Sequence, residues 1–153
     1  MFRGEYTLSL DAKGRMAVPA KYRKVLQEEC GGQLVVTKNF DPDARCLLLY
    51  PLAVWQEIEN KLTEVPGLNK AAQRFKRFFV GNANDCELDK SGRILLPATH
   101  REFSSLGKRL RLLGMVNKFE IWDEDLWCAQ QQGGFDLTDE DGELPGILSQ
   151  LPM

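Results

Sequence analysis

The chain has 153 residues, 43% of them hydrophobic and 27% charged, which is enough to bury a core without help from a disulfide or a metal. Four scattered cysteines (Cys30, Cys46, Cys86, Cys128) with no C-x-x-C pair, and a single histidine (His100), exclude zinc-ligand spacing and point to reduced, mostly buried thiols in a cytoplasmic protein with no metal or cofactor. A net charge of -2 excludes a smooth polybasic surface, and no segment reaches bilayer-spanning length, so neither secretion nor membrane insertion is expected.

Tyr6 to Leu10 alternates in strand fashion, Lys13-Gly14 is a turn signal, and Arg15 to Val18 resumes an apolar strand, which describes a hairpin or a sharp reversal. Pro19 then opens a helix, PAKYRKVLQEEC, that Gly31 can close. Leu34 to Thr37 and Cys46 to Tyr50 read as a second hairpin around the turn Asn39 to Asp43, followed by a helix from Pro51 to Leu62. Leu68, Ala71, Ala72, Phe75, Phe78 and Phe79 recur at helical spacing and predict a helix with one apolar face, while Lys70, Arg74, Lys76 and Arg77 make its other face basic.

The elements then repeat. Leu10-Asp11-Ala12-Lys13-Gly14-Arg15 returns 78 positions later as Leu88-Asp89-Lys90-Ser91-Gly92-Arg93, and Pro19, Ala20 and Arg23 return as Pro97, Ala98 and Arg101. Phe2-Arg3-Gly4 resembles Phe79-Val80-Gly81, and Leu49-Tyr50 with Trp55 resembles Ile121-Trp122 with Trp127. The second copy therefore predicts a helix PATHREFSSL ended by Gly107, a hairpin of Leu110 to Met115 with Phe119 to Trp122, and a helix from Asp123 to Gln131. Two units, 1–76 and 77–143, follow. Residues 144–153 close a tail, polar and acidic from Gly133 onward (Asp136, Asp139, Glu140, Asp141, Glu143), that is expected to be mobile or to dock weakly.

The repeated Asp-x-x-Gly-Arg places a carboxylate before a turn, a glycine free to take positive φ within it, and a guanidinium after it. Asp11 can accept backbone N–H bonds or pair with Arg15. An arginine held on such a loop can bond bidentately to guanine in the major groove, but the same residues could simply staple the turn, and the motif alone leaves both readings open.

The opening MFRGEYTLSLDAKGRMAVPAKYR, together with RFFVGNANDCELDKSGRILLPATHRE, resembles the MraZ family of bacterial regulators, over nearly the whole chain before the tail. That resemblance implies an α+β, mainly β fold: a pseudo-twofold, double-psi or swapped-hairpin AbrB-like barrel made from the two repeats, with surrounding helices. It implies a homo-oligomeric ring, octameric or larger, bound to double-stranded promoter DNA at repeated elements upstream of the division and cell-wall gene cluster, its own operon included, and so a place in the cytoplasm at the nucleoid. It also implies that Asp11 and Arg15, with Asp89 and Arg93, contact DNA. Lys13 and Arg3 are nearby basic candidates, Gly14 and Gly92 form the turns, and Lys90 serves the second copy, where Ser91 replaces Lys13; the first half is the favoured reader.

No nucleophile with a base, rigid carboxylate pair or phosphate-cradling loop argues for an enzyme, and His100 reads as structural. Trp55, Trp122 and Trp127 with the phenylalanines fit core and subunit packing better than a base-stacking platform, and the basic helix is read first as a solvated face. The alternative function is a ring-forming scaffold that recruits proteins without reading bases. An antitoxin-like AbrB relative would be a shorter chain with one unit, which the duplication argues against.

Overall fold

The computed structural model describes residues 1–134 and 146–153. The first repeat contributes β1 (Glu5–Ser9), β2 (Arg15–Ala17), α1 (Ala20–Cys30), β3 (Gln33–Lys38), β4 (Leu47–Pro51) and α2 (Leu52–Thr63). After α3 (Lys70–Phe79), the second repeat runs β5 (Asn84–Glu87), β6 (Arg93–Leu95), α4 (Ala98–Phe103), β7 (Arg109–Gly114), β8 (Phe119–Asp123) and α5 (Glu124–Gln132). A short 3-10 turn, Gly146–Gln150, follows. The class is α+β, but the helices hold more residues than the strands, because no strand exceeds six residues; the expectation of a mainly β chain is corrected to that extent.

Six strands form one antiparallel sheet in the order β1-β7-β8-β4-β3-β5, and β2 pairs with β6 in a separate ribbon. With β1 and β5 as its two edges, the sheet is open and not a closed barrel. The predicted hairpins β3–β4 and β7–β8 are formed. The first reversal is different: β1 and β2 meet only at the Leu10–Met16 bridge, while β1 pairs with β7, β5 with β3, and β2 with β6. Each repeat thus hands its first two strands to the other, so the turn reverses the chain without closing a hairpin. The period-two pattern of Tyr6 to Leu10 fixes which face is buried but carries nothing about the partner strand.

Residues 47–50 are buried on both sides of the sheet, which explains why that strand reads as a continuous apolar run. One core joins Leu34, Leu49, Leu112 and Phe119 to Met16 and Ile94 of the ribbon and to Tyr22 and Leu26 of α1. The other joins Val35, Leu48 and Tyr50 to Trp55 of α2, Phe79 of α3, and Trp122 and Trp127 of β8 and α5. The ribbon and α1 therefore cover one face of the sheet, and α2, α3 and α5 cover the other. All three tryptophans are buried within the chain itself, so the part of the earlier expectation that assigned them to subunit packing is corrected.

Pro19 and Pro97 stand just before their helices, and Gly31 closes α1 with its N–H on the Gln27 carbonyl. In the second copy α4 stops at Phe103, and Gly107 instead donates to Asp123 Oδ1. Leu68, assigned by spacing to the apolar face of α3, lies outside that helix and is fully exposed, because the helix begins after its Asn69 cap, whose side chain accepts from the Ala72 N–H. The acidic run from Asp136 to Glu143 and the anchors Phe135, Leu137 and Leu144 lie outside the described residues; Ile147, Leu148 and Leu151 are exposed. Among the described residues no helix is long and apolar enough to cross a membrane, and no group of His, Cys, Asp and Glu is arranged to hold a metal.

Candidate nucleic-acid interface

The two Asp-x-x-Gly-Arg turns have the same internal wiring. Asp11 Oδ1 accepts the backbone N–H groups of Lys13 (2.9 Å) and Arg15 (2.8 Å), and the Asp11 carbonyl accepts from Gly14 (3.0 Å). Asp89 Oδ1 accepts from Ser91 (2.8 Å) and Arg93 (2.9 Å), and its carbonyl from Gly92 (2.9 Å). These N–H donors, above all that of Arg15 and of Arg93, hold the Asp11 and Asp89 carboxyls below the usual carboxylate range. Gly14 and Gly92 sit at φ of +85° and +74°, a region that glycine enters without strain. The carboxylate thus caps the turn through backbone bonds, and Asp11 makes no ion pair with Arg15.

The exchange of strands sets the two loops side by side. In the ribbon Arg15 lies opposite Leu95, Met16 opposite Ile94, and Ala17 opposite Arg93, with Met16 and Ile94 buried inward. Val18 donates to the Gly92 carbonyl and Leu96 to the Gly14 carbonyl, both at 2.9 Å, so each turn is tied to the strand end of the other repeat. Arg93 spans the pair: its Nη1 stands 3.5 Å from Asp11 Oδ2, and its Nε 3.3 Å from Asp89 Oδ2, an ion pair without an aligned hydrogen bond.

Two repeated residues without an assigned role in the sequence prove to belong here. Arg23 Nε donates to the Val18 carbonyl (2.6 Å) and its side chain lies across Gly92; Arg101 Nε donates to the Leu96 carbonyl (3.1 Å) and its guanidinium lies across Gly14, where an added Cβ would stand 2.8 Å from Cζ. Their recurrence 78 positions apart was the available signal. Lys108 was missed as well. Its carbonyl accepts from the Leu10 N–H, and Arg109 pairs with Ser9, so both border the first loop, Arg109 with its Nη1 3.6 Å from Glu124 Oε2; at the second loop the matching places hold Gly32 and Gln33, with Glu87 where Ser9 stands. Nothing local in the sequence shows which strand borders the loop.

Of the predicted residues, Asp11, Lys13, Gly14, Arg15, Asp89, Lys90, Gly92 and Arg93 are brought together, with Lys13 and Lys90 exposed on the two loops. Arg3 is not among them. It lies beyond the far end of the five-residue strand β1, which alone spans about 16 Å at ~3.3 Å per residue, and its carbonyl accepts from the Tyr22 hydroxyl (2.6 Å). The basic residues of α3 also stand apart, on the sheet face opposite the ribbon. His100 is buried with Nε2 donating to the Asn82 carbonyl (2.6 Å), a packing role.

Residues 1–78 and 79–143 each match the family described as "MraZ protein, putative antitoxin-like". The chain is 51% identical over 140 residues to the transcriptional regulator MraZ of Idiomarina loihiensis, covering 92% of this chain and 91% of that one. It is 53% identical over 133 residues to the protein of the same name from Methylococcus capsulatus, covering 86% of each. With the one from Pseudomonas aeruginosa the identity is 47% over 152 residues, 99% of each.

Proposed function

This chain belongs to the MraZ family, and on that premise we propose that it is a sequence-specific DNA-binding transcriptional regulator. It binds repeated promoter elements upstream of the division and cell-wall gene cluster, its own operon among them. It acts in the cytoplasm at the nucleoid. The observation that carries the reading is the pairing of two rigid, arginine-bearing turns on the outward side of one ribbon.

The turns are pre-ordered by their own carboxylates, so little conformational entropy is lost when a guanidinium meets a base edge. Arg15 reads and Lys13 neutralises phosphate; Lys108 adds positive charge beside this first loop, which makes it the stronger of the two. Asp11 and Gly14, like Asp89 and Gly92, shape the turns, and Arg93 and Lys90 complete the second copy. Arg3 contributes at a separate point on the surface.

In this reading 1–76 and 77–143 are two AbrB-like units interlaced by exchange of their opening strands around an open sheet, with 144–153 as a tail; the pairing of β1 with β7 and of β5 with β3 supports it. One ribbon offers few contacts, so subunits join in a ring, octameric or larger, and engage several promoter repeats at once, each link raising the effective concentration of the next.

The test is a gel-shift titration against the chain's own upstream DNA at two salt concentrations, with Arg15→Ala beside the native protein. Loss of a bidentate base contact costs about 1–3 kcal/mol per engaged subunit, so repeat binding collapses while the size of the oligomer is unchanged. Undiminished sequence-specific binding by Arg15→Ala would sink the assignment, and a ring that keeps protein partners but never bound the repeats would favour a scaffold.

A further inference from the structure

The two arginines that the duplication makes equivalent stand in different surroundings. The outward side of the β2–β6 ribbon carries two cross-strand pairs, Arg15 with Leu95 and Ala17 with Arg93. Opposite Arg93 is only the methyl group of Ala17, and its guanidinium crosses the ribbon to Asp11 while also holding Asp89. Opposite Arg15 is Leu95, a large apolar side chain left 52% exposed, which fills the space a guanidinium would cross to reach Asp89. Among the described residues Arg15 makes no ion pair.

We infer that the two arginines divide the work: Arg93 is a positioning residue that locks the two loops at a fixed separation, Arg15 is the one that reaches the duplex, and the difference between Leu95 and Ala17 decides which does which. This rests on the DNA reading proposed above and narrows it: Arg93 completes the second copy by holding the two loops together, not by touching the duplex. The charges support it. Two carboxylates on a DNA-facing edge repel phosphate unless they are neutralised, and one arginine shared between them both neutralises and spaces them. A guanidinium held by ion pairs at Nη1 and Nε has fewer N–H donors to offer a base than an unpaired one.

The experiment measures binding of the full chain to a duplex with its upstream repeats, by fluorescence anisotropy across a salt series and against single-base changes in the repeat. Each phosphate contact contributes about 0.9 to the slope of log affinity against log salt. Arg15→Ala relaxes discrimination at one base position, with affinity falling about 5- to 150-fold per engaged subunit. Arg93→Gln lowers affinity about two- to fivefold, on the scale of a half-exposed ion pair, and leaves salt slope and base preference unchanged. Asp11→Asn, which keeps the backbone acceptor but removes the charge, gives a smaller loss, since it frees the first loop from Arg93 yet also removes one phosphate-repelling charge, and the double variant loses no more than Arg93→Gln alone.

A slope reduced by about 1, or relaxed base preference, in Arg93→Gln would show that Arg93 itself touches DNA and overturn the inference; so would unchanged affinity in both Arg93→Gln and Asp11→Asn. Exchanging the neighbours, Ala17→Leu with Leu95→Ala, moves the dependence of base discrimination from Arg15 to Arg93, and dependence that stays on Arg15 overturns the role given to Leu95. If Arg15→Ala binds like the native chain, it is the DNA reading that fails, a result distinct from these.

Discussion

The side chain of Arg23, in the first repeat, lies across Gly92 in the second so closely that a Cβ added to that glycine would collide with its Cδ and Nε. Arg101 and Gly14 repeat the contact in the opposite direction. Each Asp-x-x-Gly-Arg turn is therefore braced by the helix of the other repeat, through a guanidinium that also caps the carbonyl of Val18 or Leu96.

Gly92→Ala should be clearly destabilising. It adds the strain of a positive φ, about 1–2 kcal/mol, to the displacement of Arg23, about 1–3 kcal/mol by analogy with overpacking. Urea denaturation should show a loss of about 2–5 kcal/mol, with Gly14→Ala similar. A loss below half a kilocalorie in both would mean that the braces are slack.

The Asp11 and Asp89 carboxyls are held below their ordinary value of 3.8 by the N–H groups of their own turns. The sign follows: the ordered loops are fully supported above that value, and the support is lost as pH falls through the lower folded values. Amide chemical shifts of Lys13, Arg15, Ser91 and Arg93, followed during acidification, should titrate together with midpoints below 3.8. Midpoints at or above the ordinary value would show that the caps are not formed in solution.

His100 is buried with its Nε2–H on the Asn82 carbonyl, and burial lowers its pKa from 6.5. Stability should be full above about pH 6.5 and decline as pH falls, by at most about 1.4 kcal/mol per pH unit, because the unfolded chain takes a proton that the folded one refuses. It is the only histidine, so a His100→Gln variant should have a flatter denaturant midpoint between pH 7.5 and 5.5. An equally steep profile in the variant would rule the residue out as the source.

Burial pushes the Cys46 and Cys86 thiols up to about 12, whereas Cys30 and Cys128 are partly exposed. An aromatic disulfide reagent near pH 8 should label two thiols quickly and the remaining two only on unfolding. Four fast thiols would contradict the packing of Cys46 and Cys86 in the two cores.

The parts of this architecture that were legible in the sequence are those written locally. The turn motif, the two later hairpins and the proline-led helices all rest on contacts within about twenty residues, and the duplication made each one visible twice. What stayed hidden is long-range pairing. Tyr6 to Leu10 alternates the same way whether its neighbour is β2 or β7, so the exchange of strands, the cross-bracing by Arg23 and Arg101, and the closeness of Lys108 to the first loop could not be read. Leu68 was misplaced for a different reason, since its spacing matched the helix but the Asn69 cap starts the helix two residues later, at Lys70. Arg3 looked close to the motif in sequence, yet an extended strand carries a residue away faster than a helix would.

The trading of opening strands also bears on how this chain can be cut. Neither repeat expressed by itself has a partner for its own first strand or for its half of the ribbon, so a lone half has an incomplete sheet with unsatisfied edges. The two pieces mixed together should rebuild the whole, much as two copies of an ancestral half would have met before their genes were fused.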